Sequence, residues 1–421
     1  MDELRIRGGN PLVGEISISG SKNASLPILA ASILTAAPVT LSNIPDLKDV
    51  RSMLDLLRGL GIETTPLNAG KLTIQAAELT SLVAPYELVS TMRASFLVLG
   101  SILARYGRVS VSLPGGCAIG TRPVDQHLKA FAKMGAKIDL IDGYVHANTD
   151  GRLRGTEIEM DVVTVGGTQN VLMAATLADG TTVIHNAARE PEIVDLASFL
   201  RCMGASIKGD GTSTITVTGT DTLHGCEFQV MSDRIETGTY LAATLATHGC
   251  VRLLNANPSS LIAVTTAGRK FGADITVKGS TIDISARRSR LSPVSITTTA
   301  YPGIPTDLQA QLMVVNCLAN GVSTITETVF ENRFMHIQEL VRMGADIFLK
   351  NPTTAVINGV SRLSGTRVMA TDLRASSCLV IGALAAQGES IIGRIYHLDR
   401  GYERMEDKLA SLGGVVERTQ T

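Results

Sequence analysis

The sequence predicts an α/β protein made of two inside-out α/β barrel domains, each pseudo-threefold, assembled from six repeats of about 70 residues. Three observations carry that expectation. A helical pattern that ends in a hydrophobic-Gly turn and continues into a β-like segment occurs six times, as LRGLGIET, FAKMGAKI, LRCMGASI, GRKFGADI, LVRMGADI and LASLGGVV, with its glycine at Gly61, Gly135, Gly204, Gly272, Gly344 and Gly413. A second unit, an apolar helix followed by Gly and an apolar or alternating strand, alternates with the first. The 421 residues accommodate six such pairs, which at about 100–200 residues per domain group into two domains of three repeats.

The repeats define the elements in order. The helices that end at the six glycines are amphipathic and are expected on the outside. The alternating helices begin near NASLPIL, RASFLVL, TQNVLMA, TGTYLAA, DLQAQLM and LRASSCL and are apolar almost all round, so they are expected inside, with strands on the surface: the inverse of a barrel with a strand core. The glycine after each inner helix is the expected C-cap. The join between the two triplets is expected at Met231–Asp233.

Composition excludes several classes. With 44% hydrophobic and 18% charged residues the chain is globular rather than disordered. Lys and Arg number 38 against 39 Asp and Glu, a net charge of −1 that argues against gripping nucleic acid or an anionic membrane through bulk electrostatics. A sixfold ring encircling DNA would need a strong basic excess and is set aside on the same ground. Six scattered cysteines without a CxxC pair or metal-ligand spacing fit a reducing compartment and offer no metal site. The N-terminal run lacks the pattern of a signal peptide and no stretch reaches membrane-spanning length, so a cytoplasmic protein without membrane insertion is expected.

Unusual polar residues cluster where the chain enters the inner helices: Ser21-Lys22-Asn23, Arg93, Thr164 with Thr168, Asp233-Arg234 with Thr237, Thr306-Asp307 and Asp372-Leu373-Arg374. Helix N-termini favour anions. Capping is an equally good role for Thr164, Thr168 and Thr237, but it does not explain Lys22, Arg93 and Arg374, since cations at helix starts need an anion nearby. The loop LPGGCAIGTRP holds three glycines and places Cys117 five residues before Arg122. It is neither a P-loop nor a dinucleotide fingerprint; it suits a mobile lid with a reactive thiol whose pKa Arg122 and the helix start near Asp125 lower. Two late segments leading into outer helices add Arg333 and Arg400. Six cations in a neutral chain suit recognition of phosphate or carboxylate.

Together these residues resemble the enolpyruvyl transferases, in the branch that uses UDP-N-acetylglucosamine. The resemblance runs from about residue 5 to 416 and is most specific in GSKNASLPIL, MRASF, LPGGCAIGTRPVDQH, DRIETGTYL, PTDLQAQ, TETVFENRFMH, TDLRAS and IYHLDRGYERMEDKL. It implies one domain of residues 22–231, a second of 1–21 with 232–421, and an active site in the cleft between them. It implies transfer of the enolpyruvyl group of phosphoenolpyruvate to the 3′-hydroxyl of UDP-N-acetylglucosamine, releasing phosphate and opening peptidoglycan synthesis in cell-wall formation, without cofactor or metal. Cys117 then matches the proton donor to the vinyl carbon, the residue that forms an adduct with phosphoenolpyruvate and is the target of fosfomycin. Asp307 matches the base at the sugar hydroxyl. Lys22, Arg122 and Arg400 match phosphoenolpyruvate ligands, with Arg93, Arg333 and Arg374 nearby. Asn23, the run Arg122, Pro123, Val124, Asp125 and Gln126, the run Val162, Val163, Thr164 and Val165, Asp307 and Val329 match nucleotide-sugar contacts. Some members carry Lys where this chain has Val162, near the diphosphate, which leaves more of that contact to Arg122 and backbone N–H groups. The related transferase for shikimate 3-phosphate lacks the Gly-Gly-Cys lid, and a non-catalytic binding paralogue would not need Lys22, Cys117, Asp307 and Arg400 together.

Overall fold

The repeat glycines explain themselves in the backbone. In the computed structural model, which describes residues 2–90, 92–113, 124–287 and 290–420, all six adopt left-handed φ between 86° and 110°. Each follows an outer helix and turns the chain into a strand, a conformation that a side chain makes costly. Gly135, Gly344 and Gly413 have open space where a Cβ would sit, so φ alone selects glycine there.

The described strands form six four-stranded sheets with one recurring order. The strand after an inner helix, such as Arg108–Ser112, pairs antiparallel with the last strand of its repeat, Tyr144–Asn148, which pairs antiparallel with the strand after the outer helix, Lys137–Ile141. Its other edge takes a short parallel strand, here Val83–Ala84. Buried residues alternate along these strands, so each sheet turns one face to a core and the other to solvent.

Two of these sheets are completed by the N-terminus. Glu3–Arg7 lies between Glu389–Gly393 and Val415–Thr419, with Leu4 opposite Ile392 and Arg418. Val13–Ser17 runs parallel to Cys250–Leu254. In the other half of the chain Glu227–Gln229 returns to lie parallel to Val39–Ser42. The described residues accordingly divide into two compact units, 20–90, 92–113 and 124–231 (first) and 2–19 with 232–287 and 290–420 (second). Gly20 and Ser21 go with the first: the Ser21 N–H donates to the Met231 carbonyl over 2.8 Å, and a Cβ on Gly20 would sit 1.6 Å from the Asn43 carbonyl oxygen. Ser19 goes with the second, its N–H donating to Glu236 Oε2 (2.7 Å) while Lys408 Nζ donates to its hydroxyl (2.7 Å) and to Glu236 Oε1 (2.6 Å).

Each unit has its own core of three mutually packed inner helices, which bears out the inside-out reading: Lys22–Ala31, Val98–Tyr106 and Val165–Ala175 in the first, and Arg234–Ala246, Gln309–Cys317 and Leu373–Ala385 in the second. Every residue of Arg234–Ala246 is buried. Amphipathic helices such as Lys48–Gly59 and Pro191–Cys202 cover these cores with one apolar face. The expectation of a glycine C-cap on each inner helix holds at Gly107 (φ 70°). In the inner helices that have a following glycine the helix otherwise ends short of it, as at Thr176 before Gly180 and Thr247 before Gly249, where the chain leaves through an extra turn before the strand. No glycine stands between Lys22–Ala31 and its strand Val39–Ser42. Among the described residues no helix is long and apolar enough to cross a membrane.

Candidate functional site

Four of the six inner helices begin with side-chain caps; Val98–Tyr106 and Gln309–Cys317 have none and begin instead through the short turns Arg93–Leu97 and Thr306–Leu308. Ser21, Thr164, Asp233 and Asp372 each accept from backbone N–H groups of the first turn. Of the three threonines with capping chemistry, Thr164 is a cap. Thr168 instead accepts from the Ala188 N–H, and the Thr237 hydroxyl donates to the Asp233 carbonyl.

In the second unit this arrangement brings Asp307, Arg333 and Arg374 together. Asp307 lies in the single turn Thr306–Leu308 that opens helix Gln309–Cys317. Arg333 Nη2 and Arg374 Nε both donate to its Oδ1, over 2.9 and 3.0 Å. The two guanidinium groups are 5% and 7% exposed and the carboxylate 29%, so the carboxylate faces outward from a buried cationic seat. Burial opposes the charge on Arg374, but Asp307, Tyr402 and Asp233 outweigh it and hold its pKa above the ordinary guanidinium value.

Residues without an assigned role complete that seat. Arg374 Nη1 donates to the Tyr402 hydroxyl (3.2 Å), which shares a 2.8 Å hydrogen bond with Thr239. Gln311 Nε2 donates to the Asp307 carbonyl (2.9 Å) and lies 3.3 Å from both the Thr239 and the Tyr402 hydroxyls. Gln311 and Tyr402 stand inside the PTDLQAQ and GYERMEDKL stretches; a glutamine amid otherwise apolar helix positions was the available signal. Val329 is exposed on the segment preceding Arg333, and Arg400 ends the turn Ile395–Arg400, half-buried.

In the first unit Lys22 opens helix Lys22–Ala31, followed by half-buried Asn23. Lys22 Nζ lies 3.3 Å from Asp49 Oδ2 of the neighbouring outer helix. The anion required by a cation at a helix start is therefore supplied by the protein itself at Lys22, and by Asp307 at Arg374. Arg93 opens the turn Arg93–Leu97. Val124, Asp125 and Gln126 stand at the start of helix Asp125–Lys133, and the Gln126 amide grips Asp161 at both ends, accepting from its N–H (2.9 Å) and donating to its carboxylate (3.1 Å). Hydrogen bonds from Lys129 and Gln126 hold the Asp161 carboxyl below its ordinary pKa. This grip fixes the run Val162, Val163, Thr164 and Val165, whose three valines are exposed.

Behind that run, buried Asn170 ties three elements. Its Oδ1 accepts from the Gly100 N–H (2.8 Å), and its Nδ2 donates to the Phe96 carbonyl (3.2 Å) and His127 Nδ1 (3.0 Å). Burial pushes His127 down to about 4, opposed by Asp125, so the ring is neutral at pH 7, with Nδ1 accepting and the proton on Nε2. Cys117, Arg122 and Pro123 lie outside the described residues.

Comparison with known proteins places this geometry. The sequence matches the family EPSP synthase (3-phosphoshikimate 1-carboxyvinyltransferase) over residues 6–409. It is 54% identical over 420 residues to a UDP-N-acetylglucosamine 1-carboxyvinyltransferase of Shewanella amazonensis, covering 100% of both chains. It is 54% identical over 418 residues to one of Acinetobacter baylyi, covering 99% of this chain and 100% of that one. The crystal structure of the enolpyruvyl transferase NikO from Streptomyces tendae is similar over 100% of this chain and 99% of its own, with a TM-score of 0.89 at 25% sequence identity. With a match across nearly its whole length and full-length relatives at this identity, the chain belongs to the EPSP synthase family of enolpyruvyl (carboxyvinyl) transferases.

Proposed function

We propose that this chain transfers the enolpyruvyl group of phosphoenolpyruvate to the 3′-hydroxyl of UDP-N-acetylglucosamine, releasing inorganic phosphate, as a step in cell-wall peptidoglycan synthesis in the cytoplasm. The observation that carries this reading is the 54% identity over the full chain to transferases named for that acceptor. Free cysteines at five described positions are compatible with a reducing compartment.

The residues divide the chemistry as follows. The sugar hydroxyl adds to the substituted vinyl carbon of phosphoenolpyruvate, giving its proton to Asp307, while Cys117 gives a proton to the methylene carbon. In the elimination one methyl proton returns to the Cys117 thiolate and phosphate departs with the proton held by Asp307, which restores the double bond as an enol ether and leaves both groups as they began. Arg333 and Arg374 set the direction of the Asp307 carboxylate, which matters because a base must stand within hydrogen-bond reach of the proton it takes. Lys22, Arg122 and Arg400, with Arg93 nearby, neutralise the phosphate and carboxylate of phosphoenolpyruvate. Asn23, the runs Arg122–Gln126 and Val162–Val165, and Val329 hold the nucleotide sugar.

The test is phosphate release from phosphoenolpyruvate with UDP-N-acetylglucosamine in one arm and shikimate 3-phosphate in the other. Release in the first arm alone is expected. Release in the second alone would replace the acceptor, and silence in both arms from folded protein would overturn the transferase reading.

A further inference from the structure

Glu327 is a carboxylate that the chemistry above leaves without a task, and it is 2% exposed. It follows strand Val322–Thr326. Burial of an unpaired charge is unfavourable unless donors satisfy it, and among the described residues Glu327 forms no ion pair. Instead, four donors converge on it. Oε1 accepts from the Thr298 hydroxyl (2.9 Å), the Val329 N–H (2.8 Å) and the Phe330 N–H (3.1 Å). Oε2 accepts from the Thr306 hydroxyl (2.8 Å). Thr298 and Thr306 are themselves buried.

The donors bracket Asp307. Thr306 is the residue before it. Phe330 lies with its ring 5.4 Å from the Arg333 guanidinium, which donates to Asp307. Thr298 is secured to the same segment a second time, because the Thr328 hydroxyl donates to its carbonyl (2.6 Å) and the Thr328 N–H to its hydroxyl (3.1 Å). Two loops, one ending at Asp307 and one carrying Val329 and Arg333, are thus fastened to a single buried anion.

We propose that Glu327 is a positioning residue for the transfer reaction: its carboxylate locks the Thr306–Asp307 turn and the Val329–Arg333 segment in one relative placement, so that the base and its guanidinium partner meet the acceptor sugar together. This rests on the transferase reading. A charge satisfied by four hydrogen bonds suits the task, because bonds to an ionised acceptor are stronger than neutral ones and here share two oxygen atoms. Its removal would let both loops shift, and a displacement of about 1 Å in a catalytic group lowers rate by up to about 10²-fold.

The experiment compares the parent with Glu327→Ala, Glu327→Gln, Thr306→Val and the double variant Glu327→Gln/Thr306→Val, reading phosphate release, the KM for UDP-N-acetylglucosamine and the thermal midpoint. Glu327→Ala is expected to lower kcat by about 100-fold and to raise the KM for the nucleotide sugar through Val329. Glu327→Gln keeps the shape and an acceptor for the backbone N–H groups, and is expected to recover kcat to within about tenfold of the parent, since one charge-assisted bond is about a tenfold effect. If Glu327 acts through Thr306, the double variant loses no more than the worse single variant. Independent, multiplying losses, or unchanged kcat in folded Glu327→Ala, would overturn the proposal. Should Glu327→Ala fail to fold, the Gln variant and the double variant still decide. A silent parent overturns the transferase reading and this inference with it; an active parent with multiplying losses overturns this inference alone.

Discussion

Asp195 stands on the outer helix Pro191–Cys202, half-buried, with Oδ2 accepting from the N–H of Met231 over 3.1 Å. Burial pushes its carboxyl up to about 6; the Met231 bond works against the rise and neighbouring Glu192 adds to it. A folded-state value above the unfolded one, 3.8, means that the folded protein binds this proton more tightly. Its contribution to stability is therefore complete below pH 3.8 and is lost as pH rises to about 6, beyond which the ionised group is a constant burden. At about 1.4 kcal/mol per unit, a rise of about two units sets an upper figure of about 3 kcal/mol, and the remaining solvent exposure brings the expectation to about 1–2 kcal/mol. Asp195→Asn keeps an acceptor for Met231 and removes the charge. The variant should match the parent near pH 4, gain on it between pH 4 and 6, and stay ahead by about 1–2 kcal/mol from pH 6 to 8. Urea unfolding of both proteins across this range reads the difference at each pH, so the other titrating groups cancel. A difference that stays flat from pH 4 to 8, or a variant less stable at pH 7, would refute burial as the cause.

Other outcomes follow from the same geometry. Asp307→Asn removes the proposed base and should lower phosphate release by about 10²–10⁴-fold, while circular dichroism stays that of the parent. Tyr402→Phe deletes the hydroxyl shared by Arg374, Thr239 and Gln311; a loss of about 1–3 kcal/mol is expected in urea unfolding, together with reduced turnover. Gly344→Ala meets open space but must hold φ near 92°, and should cost about 1–2 kcal/mol. Gly100→Ala places a Cβ 2.3 Å from Asn170 Oδ1 and 2.5 Å from the Asn170 carbonyl oxygen, and its thermal midpoint should fall further than that of Gly344→Ala. Below pH 6.5 the folded state should weaken, because burial pushes His127 and His336 down to about 4. Both remain neutral in the folded chain while the unfolded chain binds their protons, and His127→Gln should shrink the loss between pH 6.5 and 4.

The fold was legible because the repeat is written in local terms. A glycine that must take positive φ after every outer helix and an inner helix without a polar face are features that a few residues carry alone. What closes each unit was not local. Leu4 finds its register opposite Ile392, and Phe228 opposite Leu41; a period-two pattern marks such segments as strands but does not name partners so distant in sequence. The same division holds in the site. Lys22, Arg93, Arg374 and Asp307 stood out as polar groups at the starts of apolar helices, yet the pairing of Lys22 with Asp49 was hidden, since Asp49 reads as an ordinary first-turn acid of an amphipathic helix. Glu327 was hidden more completely. A glutamate after a strand reads as the solvated end of that strand, and only the arrival of Thr298 and Thr306 from another loop makes it a buried acceptor.

That concealment has a physical reason that also bears on the site. The inner helices are apolar almost all round; several hydroxyls within them turn back to their own helix, as Thr244 does to the Tyr240 carbonyl, whereas the longer amide side chains reach neighbouring elements. Asn170 reaches the Phe96–Gly100 segment and His127, while Gln311 reaches Thr239, Tyr402 and the Asp307 carbonyl. Gln311 stands in the first turn of its helix, just after Asp307, and Asn170 midway along its own, reaching the first turn of Val98–Tyr106 at Gly100. Asn316, at the far end of its helix, bonds the Val294 backbone instead. Apolar packing tolerates small sliding of one helix along another, because it is non-directional; a hydrogen bond between two helices does not. Asn170 and Gln311 therefore fix the relative height of the helix starts within each unit, which sets the spacing of the charges those starts present. An apolar replacement of similar volume, such as Asn170→Leu, would retain much of the burial yet release that spacing, so its effect should be larger on turnover than on the thermal midpoint.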